Sequence, residues 1–278
     1  MKNLVIAIGI LILGAGGVWF GQHLEFKDPY GMSPIFLGAK MSPEQREKDP
    51  LKSVSLTPEA ARESYDFLGK VIEILDRHQI EYWLAYGTLL GAVRHEGIIP
   101  YDDDLDIKIW KKDVPKLLSL VSEFSQVGIA LTNAKLCLRV YKINGYDVRP
   151  KSKTFQIVPG VWFVRRKAEK FPCCDIFPME EEGDKIVLNN KIMRRDEPNA
   201  YYLKDEFYPL KKISFGTIIA NAPNDPTGFL ARHYKADWNS MAYFEKNHSQ
   251  ANQEKIALKL TPEVMQQFYQ YGVSTTQE

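Results

Sequence analysis

Four carboxylates crowd into five residues of this chain, Asp102, Asp103, Asp104 and Asp106, and the run passes straight into Leu105, Ile107 and Ile109. In water such a cluster repels itself. At the end of a half-buried strand it is unstable unless a cation sits among the oxygens, and a hard divalent ion suits because it takes oxygen ligands and neutralises several carboxylates at once. In an extended strand alternate side chains share a face, so Asp102, Asp104 and Asp106 are expected on one side and Asp103 on the other. Asp104 and Asp106 then clamp one ion, Mg2+ or Mn2+, with Asp102 close enough to join. The bland alternative is a solvated acidic loop, and the flanking Ile98, Ile99, Pro100 and Ile107 argue against it.

Upstream, Tyr82, Trp83, Leu84, Ala85 and Tyr86 read as a short strand that breaks at Gly87 and Thr88. Leu89, Leu90 and Val93 follow as a short helix. Gly87 and Thr88 therefore stand at a strand-to-helix junction, where unpaired backbone N–H groups admit a phosphate. Turns often need a glycine for purely structural reasons, and the pair gains weight only from the acids that follow. Asp175, a lone acid among Phe171, Pro172, Ile176 and Phe177, either caps a turn or reaches the same site from a neighbouring strand. There it is a third acid, or takes the proton of an incoming hydroxyl. Arg94 and His95 are candidates for binding phosphate oxygens, and Arg94 serves equally well as an ion-pair partner for the aspartates. His233 is a further donor contact or a surface histidine. Lys211 and Lys212 read as solvated edge charges, and His78 as a dipole partner at a helix end.

Lys2 precedes an uncharged apolar run over residues 4–20, near the lower limit for a membrane span. Residues 1–22 are expected to form a transmembrane signal anchor with a cytosolic amino end, giving a single-pass protein with its catalytic part in the lumen of the ER or Golgi. A cleaved signal peptide is the rival, and it yields a secreted product. Residues 23–56 read as a proline-dotted stem, 57–246 as the folded domain and 247–278 as a polar tail with one helix at 262–271. Thr57, Pro58 and Glu59 open an amphipathic helix carrying Ala61, Tyr65, Leu68, Ile72 and Leu75 on one face. A second helix is expected over 114–124, then short strands near 136–143, 157–164 and 174–177. A loop over 189–206 precedes a strand pair over 208–220 and a helix at 227–234. This order indicates an α/β or α+β domain around one core. Net charge +1 gives no reason to expect nucleic acid. Cys137, Cys173 and Cys174 leave at least one thiol unpaired within the chain, and no CxxC suggests zinc. Asn247 heads a glycosylation acceptor triplet.

The run YWLAYGTLLGAVRHEGIIPYDDDLDI, Tyr82 to Ile107, closely resembles the LicD family, which includes bacterial phosphocholine transferases and the eukaryotic fukutin and fukutin-related ribitol-phosphate transferases. DIFP from Asp175, YPLKKISFG from Tyr208 and APNDPTGFLARHYKADW from Ala222 look like the downstream motifs. The resemblance departs at Lys235, where the family commonly has glycine. It implies a nucleotidyltransferase-like mixed sheet flanked by helices. Gly87 and Thr88 become phosphate contacts, Asp104 and Asp106 metal ligands, and Asp175 the third acid. The implied reaction moves a phosphoalcohol from a CDP-alcohol donor to a hydroxyl of a glycan or glycoprotein. The alternatives are nucleotidyl transfer on the same metal site, or a non-catalytic glycan-binding or escort role.

Overall fold

Ser42 and Asp49 each cap a short helix that opens on proline, α1 (Pro43–Lys48) and α2 (Pro50–Val54). The computed structural model describes residues 33–134, 136–147, 170–245 and 255–270. The apolar run at 4–20, the strand expected at 157–164 and Asn247 lie outside them. Among the described residues no helix is long and apolar enough to cross a membrane. The stem expected over 23–56 is, from residue 33 on, part of the folded body. Ile35, Phe36, Val54 and Leu56 are buried, and Leu56 N donates to Pro100 O at 2.6 Å. Prolines and charges hide these apolar residues from a periodicity reading, because the helices that gather them are too short to show a repeat.

The Thr57 hydroxyl accepts from Ala60 N and starts α3 (Pro58–Arg77), whose Ala61, Tyr65, Leu68, Ile72 and Leu75 are buried as their spacing predicts. His78 caps it and pairs with Glu123 at 2.6 Å. Then come β1 (Tyr82–Leu84), α4 (Tyr86–His95) and β2 (Leu105–Trp110). The single helix expected over 114–124 is two, α5 (Val114–Ser119) and α6 (Val121–Gln126), broken at Leu120. β3 (Ile129–Asn133), β4 (Leu138–Asp147) and β5 (Lys170–Glu182) follow, the last much longer than its apolar centre suggests.

The loop expected over 189–206 holds α7 (Lys191–Asp196), β7 (Tyr202–Leu203) and α8 (Lys204–Phe207), after β6 (Lys185–Leu188). Asn190 caps α7 through its side chain, a start signal within an otherwise polar stretch. β8 (Lys211–Phe215) and β9 (Ile218–Ala222) form a hairpin turning at Gly216, with φ of 56°. α9 (Pro226–Tyr234), β10 (Met241–Glu245), β11 (Lys255–Lys259) and α10 (Pro262–Gln270) complete the described chain. The tail expected from residue 247 thus contributes a strand and a helix. It packs back through Phe268, which is buried against His95 and Tyr101.

The architecture is mixed α/β, with a central sheet in the order β1-β2-β5-β4-β3 and β6 and β7 attached beyond β5. β2 and β5 run parallel, and the other pairs are antiparallel. Register places Asp106 opposite Asp175 and Asp175 opposite Arg139, so these three share a rung and a face. The adjacent rung, Ile107, Ile176 and Leu138, faces the other way into the core.

Candidate functional site

The site begins where β1 turns into α4. Tyr86 adopts φ of 43°, strained for a tyrosine, and its ring is wedged against Phe177, Phe229 and His233. At Gly87 a Cβ would collide with Asp102 Oδ2. Glycine is required there because the Asp102 carboxylate lies against the start of α4, where a helix N-terminus favours negative charge. Thr88 is buried, and its Oγ1 accepts from Asp106 N at 2.7 Å. Of the two residues expected to touch phosphate, Gly87 leaves room for the Asp102 carboxylate and Thr88 anchors the backbone of Asp106.

Asp102, Asp103 and Asp104 precede β2 instead of extending it, so the alternation that would turn Asp103 away does not operate. Each offers a carboxylate oxygen within 4.8 Å of the others, and all three are half-buried at the surface. Asp106 lies at the start of β2, beside Asp175 on β5. Burial, then the charges of Asp104 and Asp103, raises the Asp102 carboxyl well above its ordinary value. Burial, then Asp103 and Asp175, raises Asp104 to about 6. Burial, then Asp104, Asp102 and Asp175, raises Asp106 well above its ordinary value. An all-oxygen donor set that opens to solvent and carries charge the surrounding groups leave unbalanced fits a hard divalent cation.

Two cations that the sequence reading passed over face this cluster. Arg139 on β4 donates from Nε to Asp175 Oδ1 at 2.5 Å and from Nη2 to Oδ2 at 2.6 Å, a two-pronged pair. Lys108, two residues beyond Asp106 on the same face of β2, is completely buried. Its ammonium lies 4.2, 4.8 and 4.6 Å from the ring centroids of Tyr86, Tyr202 and Phe229 and donates to Tyr202 Oη at 3.4 Å. Burial brings Lys108 down to about 7, with Glu197 and Asp106 opposing. Lys108 alternates with Ile107 and Ile109 as a solvated strand charge would, but α9 and β7 cover that face with aromatic rings. Arg139 carried no distinguishing signal, since its partner is set by strand register.

Arg94 and His95 occupy the inner side of α4. Arg94 Nη1 donates to Trp238 O at 2.7 Å and Met241 O at 3.1 Å, Nη2 to Tyr101 Oη at 3.1 Å, and Nε to His95 Nε2 at 3.0 Å. It ties α4 to the segment leading into β10 and makes no ion pair with the aspartates. His95 is buried and held neutral, its imidazole brought down to about 3 by burial and then by Arg94. His233, read as a donor contact or a surface histidine, is half-buried: it stacks on Phe229 at 5.5 Å, and burial, then Lys108, brings it down to about 4. Cys137, Cys173 and Cys174 are free thiols pushed upward by burial, Cys137 to about 12, so none is a ready nucleophile.

Against known proteins, the profile described as LicD/FKTN/FKRP, nucleotidyltransferase domain, matches residues 79–225. That span contains the acids, Arg139 and Lys108. An uncharacterized protein of Rickettsia prowazekii is 30% identical over 262 residues, covering 92% of this chain and 82% of its own. Ribitol 5-phosphate transferase FKRP of Homo sapiens is 36% identical over 118 residues, 40% of this chain and 21% of its own. The lipopolysaccharide cholinephosphotransferase LicD of Haemophilus influenzae is 38% identical over 47 residues, 17% of this chain and 18% of its own.

Proposed function

We propose a function from one premise: this chain belongs to the LicD/FKTN/FKRP family. The two relatives named above for an activity are transferases of phosphate-containing groups, one cholinephosphate and the other ribitol 5-phosphate. Our reading is a metal-dependent phosphotransferase that moves a phosphoalcohol from a CDP-linked donor to a hydroxyl of a glycan. The observation that carries it is the convergence of Asp102, Asp103 and Asp104 beside the Asp106–Asp175 rung. In this reading Asp102, Asp103, Asp104 and Asp106 would hold Mg2+ or Mn2+, which when bound supplies positive charge to the oxygens of a diphosphate.

The chain's own residues do the rest. Gly87 and Thr88 position Asp102 and Asp106. Lys108 lends positive potential from beneath the acids. The acceptor oxygen bonds to the phosphorus bearing the alcohol as that phosphorus releases CMP, which leaves with the bonding pair. The hydroxyl proton passes to Asp175 or to water; both Asp175 oxygens are held by Arg139, so Asp175 takes it only when that pair opens. The apolar run at residues 4–20 tethers the domain to a membrane, with the catalytic part on the far side.

The test is to incubate the full chain with CDP-choline, CDP-ribitol and CDP-glycerol, Mn2+ or Mg2+ and a glycan pool, and to measure nucleotide release. CMP from one donor, dependent on metal and lost in Asp104→Asn, is the expected result. The family's nucleotidyltransferase description favours a second reading, in which a CTP-like substrate yields diphosphate instead. Absence of both products would leave a binding or escort role.

A further inference from the structure

We propose that Arg139 exchanges partners at this site, pairing with Asp175 before the substrate enters and with a phosphate of the donor once a divalent cation sits among the acids. The inference rests on the reading that these acids hold such a cation, and it adds a phosphate-binding residue that the sequence reading did not include.

Three observations support it. The Arg139 fork meets Asp175 across adjacent strands at 2.5 and 2.6 Å, the planar geometry that arginine offers a carboxylate or a phosphate alike. Its side chain is 27% exposed against 11% for Asp175, so of the two partners the arginine is the more open to solvent. Asp104 sits in the field of both Asp175 and Arg139, which puts the pair within electrostatic reach of the acidic loop. Arg139 is thus a positive charge already beside the carboxylates that a divalent cation would take.

Physical chemistry then sets the order. A doubly charged ion among Asp102, Asp103 and Asp104 outcompetes a single guanidinium for nearby carboxylates and repels it. A diphosphate on that ion presents oxygens the guanidinium can take in the same two-pronged way. A purely structural cross-strand pair feels the field of either ligand but gives diphosphate no two-pronged contact, so replacing its guanidinium with an ammonium would leave diphosphate affinity unchanged.

The exchange predicts changes of opposite sign. Calorimetry on the full chain in detergent micelles measures Mn2+ alone, then inorganic diphosphate added to the Mn2+-loaded protein. Arg139→Gln removes the competing charge, and Mn2+ binds on the order of tenfold tighter. The same variant loses the phosphate fork, and diphosphate binds on the order of tenfold weaker. Arg139→Lys keeps the charge without the fork, so Mn2+ affinity stays within about twofold while diphosphate weakens. If Arg139→Gln does not fold, Arg139→Lys carries the test alone. Unchanged diphosphate affinity in both variants, or Mn2+ and diphosphate shifting together in Arg139→Gln, overturns the exchange and leaves the metal-site reading standing. A wild-type chain that binds no Mn2+ overturns both.

Discussion

Asp104→Asn separates what the acidic loop does to stability from what it does for function. The asparagine keeps the shape and removes one charge. Folding raises the Asp104 carboxyl from its ordinary 3.8 to about 6, chiefly through burial and then through Asp103 and Asp175. At 1.36 kcal/mol per pH unit, that gap places a ceiling of ~3 kcal/mol on the destabilisation of the chelated protein above pH 6. The carboxylate is only half-buried, and solvent at its open side reduces this to ~1–2 kcal/mol. In EDTA at pH 7.5 the variant should therefore melt higher than wild type, by about 2–6 °C.

The sign follows from linkage. A carboxyl raised in the fold contributes stability that is complete below about 3.8 and lost as pH rises through about 6. The gap in Tm between variant and wild type should thus open between about pH 4 and 6 and stay level above. His95 and His233 titrate with the opposite sign over the same range, but they are common to both proteins and cancel in the difference. Saturating Mn2+ should reverse the order, since a ligand at about a hundred times its Kd adds ~2.7 kcal/mol to wild type and less to the variant. The assay is differential scanning fluorimetry across pH, with EDTA or Mn2+. A variant less stable than wild type in EDTA, or one with an undiminished Mn2+ response, refutes the reasoning.

Other changes test the supports of the site. Gly87→Ala puts a methyl where Asp102 Oδ2 lies, so it should weaken Mn2+ binding at least about tenfold by displacing a ligand, measured by calorimetry; unchanged affinity would remove Asp102 from the site. Lys235 holds φ of 71° and ψ of 176°, a region nearly reserved for glycine, so Lys235→Gly should raise stability by ~1 kcal/mol in urea unfolding despite its larger unfolded-state entropy. His95 is neutral in the fold and titrates at about 3, so it contributes stability above pH 6.5 that is lost as pH falls toward 3. His95→Gln, which can still accept from Arg94, should therefore lose less Tm between pH 7 and 5 than wild type, and an identical loss in both would contradict the buried neutral ring.

Local chemistry was enough for part of this molecule. Thr57-Pro58-Glu59 and the spacing of Ala61, Tyr65, Leu68, Ile72 and Leu75 determined α3, because capping and a helical stripe act within a few residues. The junction at Gly87 and the dense acids pointed to a candidate site, because grouped carboxylates are unfavourable without a cation, and the run from Tyr82 to Ile107 with its downstream motifs carried the family. Lys108, Arg139 and the environment of Arg94 were decided only by tertiary structure. Whether a strand lysine faces water depends on what α9 and β7 lay over it, and which acid an arginine meets depends on register between strands separated in sequence. Asp103 shows the same limit at short range: residues 102–104 lie outside the paired strand, and its carboxylate joins Asp102 and Asp104. The sequence by itself determined that these acids exist in one place beside a core; only the packed structure decided which oxygens face one another and which cations stand against them, since distances across strands are set by pairing and not by spacing along the chain.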